Sequence, residues 1–287
     1  KLILLGLFKK MAIADYLAIW VDKIFANLES YQGFVLIIAV SLFAVQIYCD
    51  FSGYSDIARG CAKLLGIDLM INFRSPYFAS SIREYWQRWH ISLSTWFRDY
   101  VYIPLGGSRV GKIRHYINLL ITFMISGLWH GANITFLLWG AVHGLAQIIE
   151  NCLNLNRRRN ILSVITVFAF TCAAWVFFRA QTFHESIYIF SHFFDGLTSI
   201  KSYLYNGIQD LKSIHGDTKI ALIFITGLAI CDYLAFKYDD FVEWLNSKIC
   251  SKNIILRWSV YMILIWLFLI ALALTNNRQT EFIYFQF

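Results

Sequence analysis

YINLLITFMISGLWHGANITFLLWGAVHGLAQII, Tyr116 to Ile149, reads as two apolar runs hinged on Trp129-His130-Gly131. Tyr116–Leu128 and Ala132–Ile149 are each long enough, or nearly so, for a helix to cross the hydrocarbon of a bilayer. The hinge therefore sets an ionisable imidazole at or near membrane depth. Such a group is costly in lipid and is turned toward a cavity or a partner, so its default reading is a functional site. The pattern predicts a tight pair of helices with His130 at their junction, facing a polar cavity.

Composition carries the same message for the whole chain. With 58% hydrophobic and 15% charged residues and 2 prolines in 287 residues, a soluble domain would be hard to keep in solution. Further apolar runs occupy Gly33–Cys49, Ile161–Phe178, Ile220–Phe236 and Trp258–Thr275, and Leu2–Trp20 is one interrupted by Lys9, Lys10 and Asp15. The predicted fold is all-α, a polytopic transmembrane helical bundle of about six or seven crossings with interfacial or re-entrant helices, in one membrane domain over residues 1–287. The first residue is Lys1 and no signal peptide is visible, so the chain is expected to begin inside a longer protein. Six scattered cysteines without paired spacing read as small core residues.

The net charge of +7 is unevenly distributed. Arg74, Arg83, Arg88, Arg98, Arg109, Lys112 and Arg114 fall in one stretch whose acidic residues are Glu84 and Asp99. Two readings stay open: an interfacial helix whose arginines snorkel to lipid headgroups, or a docking surface for a phosphate-bearing donor at Arg109, Lys112 and Arg114. Nucleic acid is not expected as a partner, because the stretch is threaded with Trp and Phe between membrane spans. Arg157, Arg158, Arg159, Lys237, Lys248, Lys252 and Arg257 put the later loops on the cytoplasmic side by a positive-inside count. Phe183–Phe194 is aromatic enough to dip into the membrane as a re-entrant helix, and Thr198–Lys219 and Lys237–Lys252 read as long polar connections.

Ser81–Arg109 reads as a helix ending near Tyr102, before Pro104 and the Gly106-Gly107 turn. At about 100° per residue, Arg83, Gln87, His90 and Ser94 share one stripe, and Trp86, Trp89, Leu93 and Trp96 a neighbouring one. The polar stripe would line a passage shared with His130. Asp50 and Asp56 follow the Gly33–Cys49 run. They either cap a broken helix or find an Arg or His partner across the bundle.

The chain resembles the membrane-bound O-acyltransferases, in particular their branch of alginate and other polysaccharide O-acetyltransferases, related to the D-alanyl transferases of teichoic acid. The resemblance rests on YCDFSGYSDIARG at 48–60, NFRSPYFASSIREYWQRWHISLSTWFRDYVYIPLGGSR at 72–109, SGLWHGANITFLLWGAVHG at 126–144, WVFFRA at 175–180 and FIYFQF at 282–287. It implies a multi-pass enzyme of the inner (cytoplasmic) cell membrane. Such an enzyme moves an acyl group from a cytosolic thioester, acyl-CoA or another, to a hydroxyl of an exported glycan or of an extracytoplasmic partner protein. No permanently bound cofactor is implied. The family's essential histidine matches His130 and its second histidine His90. Members usually carry several more N-terminal spans.

The chemistry needs a base for the acceptor hydroxyl and donors for the oxyanion. His130 suits the first task, His90 the orientation of the carbonyl or a proton relay, and Trp129, Asn133 or backbone N–H groups the second. No G-x-S-x-G nucleophile motif is present. Neither histidine belongs to an H-E-x-x-H or similar metal-ligand cluster. The alternatives are a non-catalytic scaffold for an extracytoplasmic transferase and, less favoured for want of internal repeats, a transporter.

Overall fold

The computed structural model describes residues 1–153, 159–215, 218–238, 254–274 and Phe282. It is all-α, with no strand among the described residues. Three helices there are long and apolar enough to cross a membrane: Phe34–Leu64, Ile161–Arg179 and Thr218–Lys237. Arg257–Ile270 is a shorter apolar stretch. The other runs expected to cross also form helices, at Lys112–His130, Ile134–Cys152 and, in three pieces, Leu2–Ala26.

The chain falls into two compact units. The first comprises Lys1–Lys23, Val45–Ser75 and Leu211–Gln286. It contains α1 (Leu2–Leu7), a π-helical segment (Phe8–Ala14), the start of α2 (Asp15–Ala26) and the later part of α3 (Phe34–Leu64). The π segment carries the two lysines that interrupt the first apolar run. Lys10 Nζ lies 2.9 Å from Asp15 Oδ1 and 2.6 Å from Asp50 Oδ1, with all three side chains buried. Lys9 Nζ lies 2.8 Å from Asp56 Oδ2. Asp56 also lies 3.6 Å from Arg59 on its own helix. A cationic partner from another helix is thus found as expected, with a different residue type, while the capping reading is corrected. The aspartates do not cap a broken helix, since α3 runs unbroken through them, and the partners from the other helix are lysines where Arg or His was expected. An ammonium shared between carboxylates offsets burial of the charges, so α3 has no need to break.

The second unit comprises Ile24–Ala44 and Pro76–Asp210. Its centre is α6 (Lys112–His130) and α7 (Ile134–Cys152), of 19 residues each. They form an antiparallel hairpin in which Gly127 faces the Phe136 carbonyl and Gly140 the Phe123 carbonyl, too close for a Cβ on either glycine. Close backbone approach through small residues is the usual means of helix packing in lipid. The tight pair predicted from the sequence is present. α8 (Ile161–Arg179) packs on α7, its start held by a reciprocal cap between Asn160 and Ser163. α9 (Phe183–His192) packs on α7 and α8. Its 10 residues are too few to span a bilayer.

Ser81–Arg109 departs from its expected form. Ile82–Arg88 is one helix, α4, and Ile91–Phe97 another, α5, followed by a π turn over Arg98–Tyr102. The end at Tyr102 is as expected, and Gly106 and Gly107 take the positive φ values of the turn. The break falls at His90, whose φ is 43°. It abolishes the proposed stripe of Arg83, Gln87, His90 and Ser94, because residues on either side of a left-handed position no longer share one face. The gain is that Trp89 and His90, which a straight helix would point about 100° apart, are both buried, at 2% and 9% exposure.

Two other readings are corrected. Thr198–Lys219, expected to be a polar connection, contains a helix, α10 (Ile200–Ile214), with Tyr203 and Leu211 buried. Of the cysteines, Cys49 and Cys172 are buried as expected. Cys61, Cys152 and Cys231 are exposed on helix surfaces, while Cys250 lies outside the described residues. Arg157, Arg158, Lys248 and Lys252, which carried most of the orientation count, also lie outside them, as do residues 283–287. Arg159 is drawn onto the protein, 2.8 Å from Glu84.

Candidate active site

His130 is the last residue of α6. Gly131 turns the chain, and Asn133 caps α7 by accepting the Thr135 N–H through its side-chain oxygen at 3.2 Å. The Asn133 amide N–H donates to the Gln181 carbonyl at 2.9 Å. Asn133 is therefore committed to holding the junction, which removes it from the oxyanion role open to it in sequence. Trp129 is 54% exposed, so it marks the outer side of His130.

The surroundings of His130 are aromatic, where a polar cavity was expected. Ring centroids lie at 5.1 Å for Trp129, 5.3 Å for Trp139, 5.2 Å for Phe178 and 6.4 Å for Phe136. Each reaches His130 for a local reason. Trp129 is its neighbour, Phe136 and Trp139 lie one and two turns into α7, and Phe178 ends the apolar run of α8. An aromatic shell keeps water from an imidazole.

His90 arrives by another route. α4 starts at Ser81, whose hydroxyl accepts the Glu84 N–H at 3.0 Å, and Glu150 at the end of α7 accepts the N–H groups of Ile82 at 2.8 Å and Arg83 at 3.2 Å. These contacts pin α4 to the hairpin. Trp89 then stacks on Tyr85 at 5.7 Å and meets Trp175 at 5.2 Å, while Trp175 stacks on Trp139 at 5.8 Å. Trp175 thus joins the indole beside His90 to the indole beside His130. The His90 Nδ1 lies 3.4 Å from Ser92 Oγ. A non-glycine residue held at positive φ is uncommon and clusters at functional sites.

A third histidine escaped the sequence reading. His143 is fully buried and accepts the Trp86 indole N–H on Nδ1 at 3.3 Å. Its ring lies 5.1 Å from that of Trp139, which so stands between His143 and His130. The available signal was its position on the same apolar run, four residues after Trp139.

Arg109, Lys112 and Arg114 are exposed around the start of α6. They are not gathered at His130: Lys112 and His130 are the two ends of one helix, about 27 Å apart along its axis. Other cations of the stretch are already engaged. Arg88 Nε lies 2.9 Å from Glu84, and Arg98 Nε 2.7 Å from Asp99. Burial pushes the Glu84 carboxyl up, but the Ser80 N–H and hydroxyl, with Arg159 and Arg88, outweigh it and hold the group below the usual carboxylate range.

Residues 1–191 match the membrane-bound O-acyltransferase (MBOAT) family. The chain is 45% identical over 182 residues to the probable alginate O-acetylase AlgI of Pseudomonas syringae pv. tomato, covering 62% of this chain and 35% of that protein. It is 33% identical over 282 residues to the peptidoglycan O-acetyltransferase of Helicobacter pylori, covering 96% and 48% respectively. With the teichoic acid D-alanyltransferase of Bacillus subtilis it shares 30% identity over 185 residues, 58% of this chain and 45% of that one. The chain thus spans about half or less of the length of these relatives. With two thirds of its residues matched, among them both histidines and the aromatic shell around them, the chain belongs to the membrane-bound O-acyltransferase family.

Proposed function

We propose that the chain carries the acyl-transfer centre of an inner-membrane O-acyltransferase. It moves an acetyl group from a cytosolic thioester, acyl-CoA or another, to a hydroxyl of an exported glycan or of an extracytoplasmic partner protein. The observation that carries the reading is that His90, held in a left-handed backbone conformation beside Trp89, is joined to His130 through one aromatic cluster, Trp89 to Trp175 to Trp139 to His130. His130 takes the proton of the acceptor hydroxyl as that oxygen attacks the thioester carbonyl. The new C–O bond forms, the C–S bond breaks, and the proton passes from the imidazolium to the departing thiolate. His90 orients the carbonyl. Arg109, Lys112 and Arg114 meet the phosphate groups of the donor at the far end of α6, which requires the acyl group to be carried on an extended arm.

The relatives' names, an alginate O-acetylase, a peptidoglycan O-acetyltransferase and a teichoic acid D-alanyltransferase, support a cell-surface glycan as acceptor. The test is to delete the full-length protein and measure ester-linked acetate on surface glycans. The reading expects a loss restored by the intact gene. Unchanged acetate would remove it.

A further inference from the structure

We infer that the aromatic wall behind His130 limits the transferred acyl group to a very short one, with Phe178, Phe136 and Trp139 as the residues that set this limit. The inference rests on His130 being the acyl-transfer centre. Its basis is the way the rings contact one another as well as His130. Phe136 and Phe178 are 5.0 Å apart, and Trp139 and Phe178 are 5.3 Å apart. Trp175 backs the wall at 5.1 Å from Phe178 and 5.8 Å from Trp139. Rings at these separations are in van der Waals contact, which leaves no gap for a chain of methylenes to pass between them. All are sealed from solvent: Trp139, Trp175 and Phe178 are 2% exposed and Phe136 is 7%.

The lower edge is shut as well. A Cβ on Gly131 would lie 2.6 Å from Phe136 Cε2, so that ring is pressed directly against the backbone beside His130. Among the described residues that ring His130, the exposed one is Trp129, on the outer side. An acyl tail directed inward from a thioester carbonyl at His130 meets this packed wall. A methyl group fits against the ring faces. Each surplus methylene would have to displace a packed ring, and closed apolar pockets discriminate by about tenfold or more per methylene.

The test uses membranes containing the full-length protein, supplied in parallel with acetyl-, butyryl- and octanoyl-coenzyme A, and reads the acyl ester formed on the acceptor glycan. The unaltered protein is expected to transfer octanoyl at about one hundredth of the acetyl rate or less. Phe178→Ala, and independently the milder Phe136→Leu, should raise the octanoyl-to-acetyl ratio by about tenfold or more. The ratio is internal to each preparation and so does not depend on the folded fraction. Ile165→Ala, at an exposed position of α8, should leave it unchanged. Equal use of acetyl and octanoyl by the unaltered protein would overturn the inference. So would an unmoved ratio in both wall variants, or an equal shift with Ile165→Ala, while acetyl transfer itself continued. Loss of transfer from all three donors in the unaltered protein would overturn the acyltransferase reading along with the inference.

Discussion

Gly140 of α7 lies against the Phe123 carbonyl of α6 so closely that any side chain on it would collide with that oxygen. The obstacle is backbone and cannot rotate away, so the two helices would have to separate. Gly140→Ala should cost about 1–3 kcal/mol, lowering the thermal midpoint of the detergent-solubilised protein and opening the α6–α7 loop to protease. Gly227, with open space where a Cβ would sit, is the matched control, and its Ala variant should be neutral.

Glu84 collects Ser80, Arg88 and Arg159 and fixes the start of α4. Its carboxyl is held below the usual range in the folded protein. Its contribution to stability is therefore fully present above the unfolded pKa, about 4.3, and is lost as pH falls through the lower folded value. Thermal midpoints of the native protein and of Glu84→Gln, measured from pH 7 downward, should differ most at neutral pH and converge as pH falls below the ordinary carboxylate range. Parallel curves would show that Glu84 makes no such contribution.

The left-handed backbone at His90 separates two consequences of substitution. Asn tolerates this conformation and a β-branched residue does not. His90→Asn should keep normal membrane abundance while glycan acylation falls by about 10²-fold, the scale of losing a group aligned with the reacting carbonyl. His90→Val should reduce abundance itself. Equal activity in the Asn variant and the native protein would confine His90 to a packing role.

The exposed cations at the start of α6 lie a helix length from His130, so they should act on donor binding and leave the chemical step alone. The combined replacement of Arg109, Lys112 and Arg114 by Gln should raise the KM for donor and leave kcat within about twofold, the pattern of a lost uniform binding interaction. The effect should shrink as salt is added, because exposed charges are screened. A fall in kcat at unchanged KM would place these residues elsewhere in the reaction.

How much of this could be read in advance depends on how local each feature is. The α6–α7 hairpin and His130 at its junction were legible, because two apolar runs and the glycines between them lie in one continuous stretch. The break at His90 was not, because the residues on both sides fit a helical period and the cause is tertiary: Trp89 and His90 are both drawn inward. Lys9 and Lys10 looked like interruptions because their partners, Asp56 and Asp50, lie some forty residues away on another helix. α10 was taken for a connection because its polar side dominates the sequence and its buried positions are few. The shell around His130 draws Phe178 from a third helix, which no spacing within the WHG segment could indicate.

The most direct test of the account is His130→Gln in the full-length protein, with ester-linked acetate on surface glycans measured at matched membrane abundance. Gln keeps a polar side chain that can hydrogen-bond but removes the titratable base, so acetylation should fall by at least about two orders of magnitude while membrane insertion is retained. Acetylation close to that of the native protein would contradict His130 as the base and would leave the chain as a scaffold for chemistry carried by another protein.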